Sequence, residues 1–250
     1  MPQVIAVSNQ KGGVGKTTTT INVAAALASD KTSVLLVDLD PQGNATSGLG
    51  VDKQGATSYD VLLGNQKLAD AVQETHLKGL YVLPTNQDLA GAEVELVDMK
   101  NRDRRLKEAL SMAAFDYILI DCPPALGLLT LNALVAANYV VIPVQAEYYA
   151  LEGLGQLLGT IQAVKQSANQ HLEILGVVLT MYDKRTTLSE QVSQELKNHF
   201  GDKLFKTVVP RNVRLAEAPS FGKTIFEHDK WSKGSRAYKN LSKEIAKRVS

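Results

Sequence analysis

Lys11-Gly-Gly-Val-Gly-Lys-Thr-Thr18 is the stretch that decides the fold. Before it lies the apolar run Val4-Ile5-Ala6-Val7, which reads as a strand. After it comes Thr19 to Ala28, an Ala-rich run that reads as a helix. Strand, Gly-rich turn and helix are the context a phosphate-binding loop requires. Glycines let successive backbone N–H groups crowd round a phosphate without Cβ clashes, and the helix N-terminus adds partial positive charge. In that reading Lys16 reaches the β- and γ-phosphates and the Thr17 hydroxyl takes a Mg²⁺ position. A Gly-rich turn with a chance lysine is the competing reading. Gly-Lys-Thr standing between these two elements argues against it.

The loop departs from the pattern G-x-x-x-x-G-K-[ST] at its head, where Gln10 stands in place of glycine and a second lysine, Lys11, follows. Lys11 comes too early to lie along the same phosphates as Lys16. This K-G-G-x-G-K-T-T form resembles the deviant Walker A loop of the ParA/MinD ATPases. The resemblance implies that Lys11 crosses a dimer interface to the partner's nucleotide, and hence that the chain forms a homodimer.

Composition sets the outer bounds. The chain has 250 residues, 44% of them hydrophobic, enough for a sizeable core. No apolar run approaches the roughly 18 residues of a membrane span. The N-terminal residues lack the basic and apolar regions of a signal peptide. A single cysteine, Cys122, excludes an intramolecular disulfide framework, so a reducing cytoplasm is the expected compartment. The four histidines are scattered, and no protein metal site is expected beyond the nucleotide's own Mg²⁺. The net charge of +1 hides an asymmetry: from Lys184 to Ser250 there are 15 Lys/Arg against 7 Asp/Glu. A basic C-terminal quarter on a near-neutral chain suits a polyanion, although a solvated lysine-rich surface would read the same way.

Along the chain, Ser33 to Val37 reads as a buried strand ending at Asp38-Leu-Asp40, and carboxylates at the C-terminal end of a parallel strand face the ligand crevice. Gln42 to Gly55, rich in Gly, Asn, Ser and Thr, reads as a mobile loop. Tyr59–Leu63 and Lys67–Gln73 read as short helices, Gly79–Pro84 as a strand, and Asp88–Val97 and Arg102–Ala113 as helices. Phe115-Asp-Tyr-Ile-Leu-Ile-Asp121 is an apolar strand that delivers Asp121 to a Cys-Pro-Pro turn. Paired with the phosphate loop, it matches a Walker B strand whose aspartate holds Mg²⁺ through water. Cys122 reads as a small buried residue. Helix Leu128–Ala137, strand Tyr139–Val144, a helix from about Leu151 to Ser167, strand Leu172–Thr180 and helix Leu188–Phe200 continue the alternation. The expected fold is α/β, a mostly parallel twisted sheet with helices on both faces. One domain over residues 1–250 is expected, with no room before Lys11 for an N-terminal helix-turn-helix domain. Tyr238, Leu241, Ile245 and Val249 mark one narrow apolar stripe on a lysine-rich C-terminal helix, which reads as packing on the domain rather than lying on a membrane.

Lys11–Thr18, Asp38–Asn44, Ile118–Pro124, Thr180-Met-Tyr-Asp-Lys-Arg-Thr186 and Val209–Gly222 together resemble the chromosomal, Soj-like branch of the ParA partition ATPases. The family implies an ATP-driven switch. ATP is sandwiched between two subunits, the dimer binds double-stranded DNA without sequence preference, and a ParB-type partner stimulates hydrolysis. A cytoplasmic, nucleoid-associated location follows. On this resemblance Lys11, Gly12, Gly13, Gly15, Lys16, Thr17 and Thr18 hold the phosphates. Thr17 directly and Asp121 at one remove hold Mg²⁺. Asp40 orients the attacking water, and Lys11 stabilises developing charge in trans. Pro210 and Asn212 fall where the family contacts adenine, and Arg185 and Arg214 where it contacts DNA, although both arginines would also suit surface ion pairs.

Two other readings share the loop. A MinD-like membrane-cycling ATPase needs a stronger C-terminal apolar stripe than this one. A ligase of the dethiobiotin synthetase type uses ATP to activate a small carboxylate and predicts a substrate pocket with no nucleotide-driven DNA binding. Relatives with an iron–sulfur cluster need two ligand cysteines per subunit. A non-catalytic scaffold is at odds with the intact Lys16, Asp40 and Asp121.

Overall fold

The structure is a computed structural model, and it describes residues 2–147 and 153–250. Seven strands form one sheet: β1 (Gln3–Val7), β2 (Val34–Asp38), β3 (Gln73–Glu74), β4 (Leu80–Leu83), β5 (Tyr117–Asp121), β6 (Tyr139–Gln145) and β7 (Glu173–Thr180). Their spatial order is β3-β4-β2-β5-β1-β6-β7. All neighbours pair parallel except β3, which runs antiparallel to β4 at the edge.

Alternation along each strand divides the core in two. Val4, Ala6, Leu35, Val37, Ile118 and Ile120 face one layer of helices. Ile5, Val7, Val34, Leu36 and Leu119 face the other. A strand buried on both sides reads as an unbroken apolar run, which is why β1, β2 and β5 were visible in the sequence. Each fully buried leucine or isoleucine stabilises the fold by about 1.5–3 kcal/mol.

The second layer is built from the Lys16–Leu27 and Lys233–Val249 helices, which lie against one another. The expected stripe is real: Tyr238, Leu241, Ile245 and Val249 are all buried. Tyr238 is held by a hydroxyl hydrogen bond with Thr19 at 3.1 Å, and burial pushes its pKa up to about 12. Arg248 locks the end of the same helix, donating to the carbonyls of Leu175, Lys203 and Leu204 and covering the Phe205 ring. The C-terminal stripe therefore faces protein. Among the described residues, no helix is long and apolar enough to cross a membrane.

Two expectations need correction. Gln42 to Gly55 is not a loose loop: Asn44–Gly48 is a short helix, and Ala45, Thr46 and Leu49 are fully buried. Its polar composition hides a Thr46 side chain that faces inward to a buried carboxylate. The Lys67–Gln73 helix is only Leu68–Ala71, and Gln73 with Glu74 supplies the antiparallel edge strand instead. A two-residue strand carries no periodicity to read. The long helix expected from about Leu151 runs over Leu154–Ser167; its expected start lies outside the described residues. The Thr19–Ala28 helix begins earlier, at Lys16, directly after Gly15.

Candidate functional site

The C-terminal ends of β1, β2, β5, β6 and β7 converge on the loop between β1 and the first helix. Asn9, buried at the end of β1, donates from Nδ2 to the Pro143 carbonyl at 2.6 Å and accepts the Lys11 amide at 3.0 Å. From β7, Thr180 donates its hydroxyl to the Val14 carbonyl at 2.8 Å. The loop is thus anchored to β6 and, beyond it, to β7. Gly13 and Gly15 take φ of +73° and +88°, conformations that side chains disfavour. Among the described residues, a Cβ on Gly12 or Gly13 would meet nothing within 4 Å, so both face open space. The helix that follows has no side-chain N-cap and no acid in its first turn. Its amides are left for an anion, as phosphate binding requires.

Lys16 is buried and donates from Nζ to the Lys11 carbonyl at 3.2 Å. Burial lowers its pKa, and the nearby Asp121 and Asp40 carboxylates work against that shift. Parallel registry places Asp121 opposite Val7 on one side and Asp38 on the other. Asp121 Oδ1 accepts the Thr20 hydroxyl at 3.0 Å, and the Thr17 hydroxyl is close enough to favour its ionised form. Asp121 Oδ2 is buried without a hydrogen-bond partner among the described residues. An orphaned carboxylate oxygen beside a phosphate cradle and two threonine hydroxyls fits a hydrated Mg²⁺.

Asp38 was visible as a carboxylate at a strand end, but sequence reasoning gave it no role. It is fully buried and accepts the Thr46 amide at 2.8 Å, the Thr46 hydroxyl at 2.7 Å and the Asp40 amide at 3.2 Å. It therefore anchors the turn that carries Asp40, whose Oδ1 accepts the Gln42 amide at 3.0 Å. Burial pushes the Asp38 and Asp121 carboxyls above their ordinary range, and their mutual repulsion pushes Asp121 further. Burial also raises the Cys122 thiol, in keeping with a packed, unreactive cysteine. Thr20, the other residue missed, lies four positions after Lys16 on one helix face. That spacing was the signal available.

Lys11 meets Lys16 through its backbone carbonyl, while its side chain turns to Glu147. Its ammonium pairs with Glu147, which also receives the Gln145 side-chain amide. Both members of the Lys11–Glu147 pair are about half exposed.

The remaining expected residues lie beyond β7. Tyr182 donates its amide to the Val209 carbonyl and accepts the Arg211 amide, both at 3.1 Å, so Pro210 bridges to the chain just after β7. Asn212 caps the Val213–Glu217 helix: its Oδ1 accepts the Arg214 amide at 2.9 Å, leaving Nδ2 as a donor. Arg185, 83% exposed, grips Asp183 through Nε and Nη2 and holds that carboxyl far below the usual range. Arg211 adds a further cation near Asp183. Arg214 pairs with Glu217 at 2.9 Å and lies 3.9 Å from Asp229. The structure thus gathers the phosphate loop, Asp40 and Asp121 at one crevice and joins the Pro210–Asn212 segment to the end of the neighbouring strand. Arg185 and Arg214 stand outside it, on the surface.

Sheet order, glycine loop and paired strand-end aspartates define a P-loop ATPase of the ParA/MinD type. The AAA domain family matches residues 2–174. Over the full length, the chain is 54% identical to the sporulation initiation inhibitor protein Soj of Bacillus subtilis, covering 98% of this chain and 99% of that one. It is also 54% identical to the chromosome-partitioning ATPase Soj of Thermus thermophilus, covering 98% and 96%. The chain belongs to the Soj/ParA family of chromosome-partitioning ATPases. Among solved structures, it resembles a Mycobacterium smegmatis protein described as cobyrinic acid a,c-diamide synthase with bound ADP and magnesium. That match has a TM-score of 0.86 and 40% identity over 100% of this chain and 96% of that one. It also resembles the septum site-determining protein MinD of Pyrococcus horikoshii complexed with Mg-ADP, with a TM-score of 0.81 and 28% identity over 100% and 98%.

Proposed function

We propose that the chain is an ATP-dependent dimerising switch. Two copies close on ATP, the closed pair binds duplex DNA without sequence preference, and a ParB-type partner stimulates hydrolysis and releases it. The observation that carries this reading is the division of labour between the two loop lysines. Lys16 is buried, with its Nζ on the Lys11 carbonyl, whereas the Lys11 side chain is half exposed and paired with Glu147. A loop lysine whose ammonium turns to Glu147 rather than into its own cradle suits the nucleotide of a second subunit.

In this reading the amides of Gly12, Gly13, Gly15, Lys16, Thr17 and Thr18 bind the phosphates. Thr17 directly and Asp121 through water hold Mg²⁺, which neutralises phosphate charge. Asp40 orients the attacking water from a turn fixed by Asp38, a matter of positioning rather than covalent chemistry. Lys11 meets the developing charge across the interface, as an arginine finger does. Pro210 and the free Nδ2 of Asn212 receive adenine. Arg185 and Arg214 exchange their surface ion pairs for DNA phosphates, and the basic C-terminal quarter supports this. The partition role is supported by the relatives' descriptions.

The test is binding to duplex DNA of arbitrary sequence with ATP, with ADP and without nucleotide, at low and moderate salt. Binding is expected only with ATP and fades with salt, and Lys11→Ala should remove it while leaving ATP bound. Binding that ignores the nucleotide sinks the switch. The description of the Mycobacterium smegmatis relative favours a second reading, an ATP-dependent ligase. That reading predicts no DNA binding in any nucleotide state and turnover that depends on a small carboxylate.

A further inference from the structure

We propose that Trp231 is the apolar contact of the DNA-binding face, its ring lying against the duplex while Lys230 and Lys233 meet the phosphates. The inference rests on the DNA reading above and adds an aromatic residue and two lysines to the expected Arg185 and Arg214.

Trp231 is the chain's only tryptophan, and it is 80% exposed. A lone exposed apolar residue needs no explanation, but this one belongs to a braced group. Its amide donates to Asp229 at 3.2 Å, and Asp229 in turn lies 3.9 Å from Arg214 Nε. The neighbouring His228 stacks on Phe221 with ring centroids 5.3 Å apart, and Phe221 is itself 65% exposed. Lys230 Nζ sits 5.3 Å from the centre of the Trp231 ring. Two exposed rings and Arg214 are therefore held on one short stretch of chain, contiguous with the Pro210–Asn212 segment.

The charge of the stretch is one-sided outward. Its acids are all engaged: Glu217 with Arg214 and His228, Glu227 with His76 and the Thr224 cap, and Asp229 as above. Lys230 and Lys233 have no carboxylate partner among the described residues. Free cations around exposed rings complement a polyanion that also offers apolar sugar and base surface. A lipid surface attracts tryptophan and lysine too, but interfacial binding needs a continuous apolar face. The helix that could supply one, Lys233–Val249, buries its stripe in the core. Nucleic acid is the partner the surface fits.

Because Trp231 is unique, its emission reports this contact alone. The full chain, with ATP and Mg²⁺, is titrated with a dye-labelled duplex while dye anisotropy and tryptophan emission are followed together. Emission should be quenched with the same midpoint as the anisotropy rise. Trp231→Ala should weaken binding about tenfold, the scale of burying part of one large apolar side chain, with the salt dependence of binding unchanged. Lys230→Ala should instead lower the salt slope by about 1. Trp231→Phe should keep most of the affinity, and every variant should bind ATP normally. Normal anisotropy with unchanged emission and an unweakened Trp231→Ala overturns this proposal and leaves the DNA reading standing. No anisotropy change in any nucleotide state overturns both. Emission that responds to anionic vesicles but not to DNA assigns the surface to lipid and overturns the proposal as well.

Discussion

Thr46 joins three parts of the crevice through one hydroxyl. It donates to Asp38 at 2.7 Å and accepts the Thr85 amide at 3.1 Å, so β2, the helix after Gly43 and the end of β4 meet there. Thr46→Val keeps the shape but orphans the Thr85 N–H. We expect a loss of about 1–3 kcal/mol in urea unfolding and slower hydrolysis, because Asp40 hangs from Asp38. The Asp38–Asp121 pair gives a pH dependence. Both carboxyls titrate above their unfolded values, so the folded protein holds protons that the unfolded chain has released. Their contribution is fully present below about pH 4 and is lost as pH rises through the raised values. In EDTA without nucleotide, the melting temperature should fall between mildly acidic and mildly alkaline pH. Asp121→Asn should flatten that fall. At this scale the sequence singled out Lys16 and Asp121 by their motifs, and the structure places the two near one another. Thr46 and Asp38 escaped because their importance lies in which distant groups they touch.

Elements were legible to the extent that burial marks them. Strands buried on both faces announce themselves, and the Tyr238–Val249 stripe told both that a helix forms and that it packs. The helix at Asn44–Gly48 did not, because five residues after a glycine with φ of +61° show too little periodicity and too many polar side chains. A test belongs to the C-terminal helix. Tyr238→Phe removes only the bond to Thr19 and should cost about 1 kcal/mol. Tyr238→Ala opens a cavity against the Lys16–Leu27 helix and should cost about 3–5 kcal/mol. Since that helix begins with the phosphate-loop lysine, the alanine variant should also weaken ATP binding, which calorimetry would read. Unchanged stability in both variants would mean that this helix does not hold the loop.

Over the whole molecule, the crevice and the basic surface are separate places joined by one run of chain, from Val209 past Asn212 and Arg214. Arg214→Ala should weaken DNA binding and reduce its salt slope by about 0.9 while leaving ATP affinity unchanged. If both fall together, the change is structural. The charge asymmetry was plain in composition, but its arrangement was not. Arg185 and Arg214 are held by Asp183 and Glu217, whereas Lys230 stands over Trp231, and no count of lysines distinguishes these.

The Lys11–Glu147 tether sets a threshold of its own. A half-exposed ion pair is worth about 0–1 kcal/mol and is weakened by salt. In the proposed switch, added ions free Lys11 for the second subunit even as they strip the duplex from the closed pair. The release is worth at most a few-fold, so DNA occupancy with ATP still falls as salt rises, but less steeply at its low-salt end. Glu147→Gln should restore the full slope there.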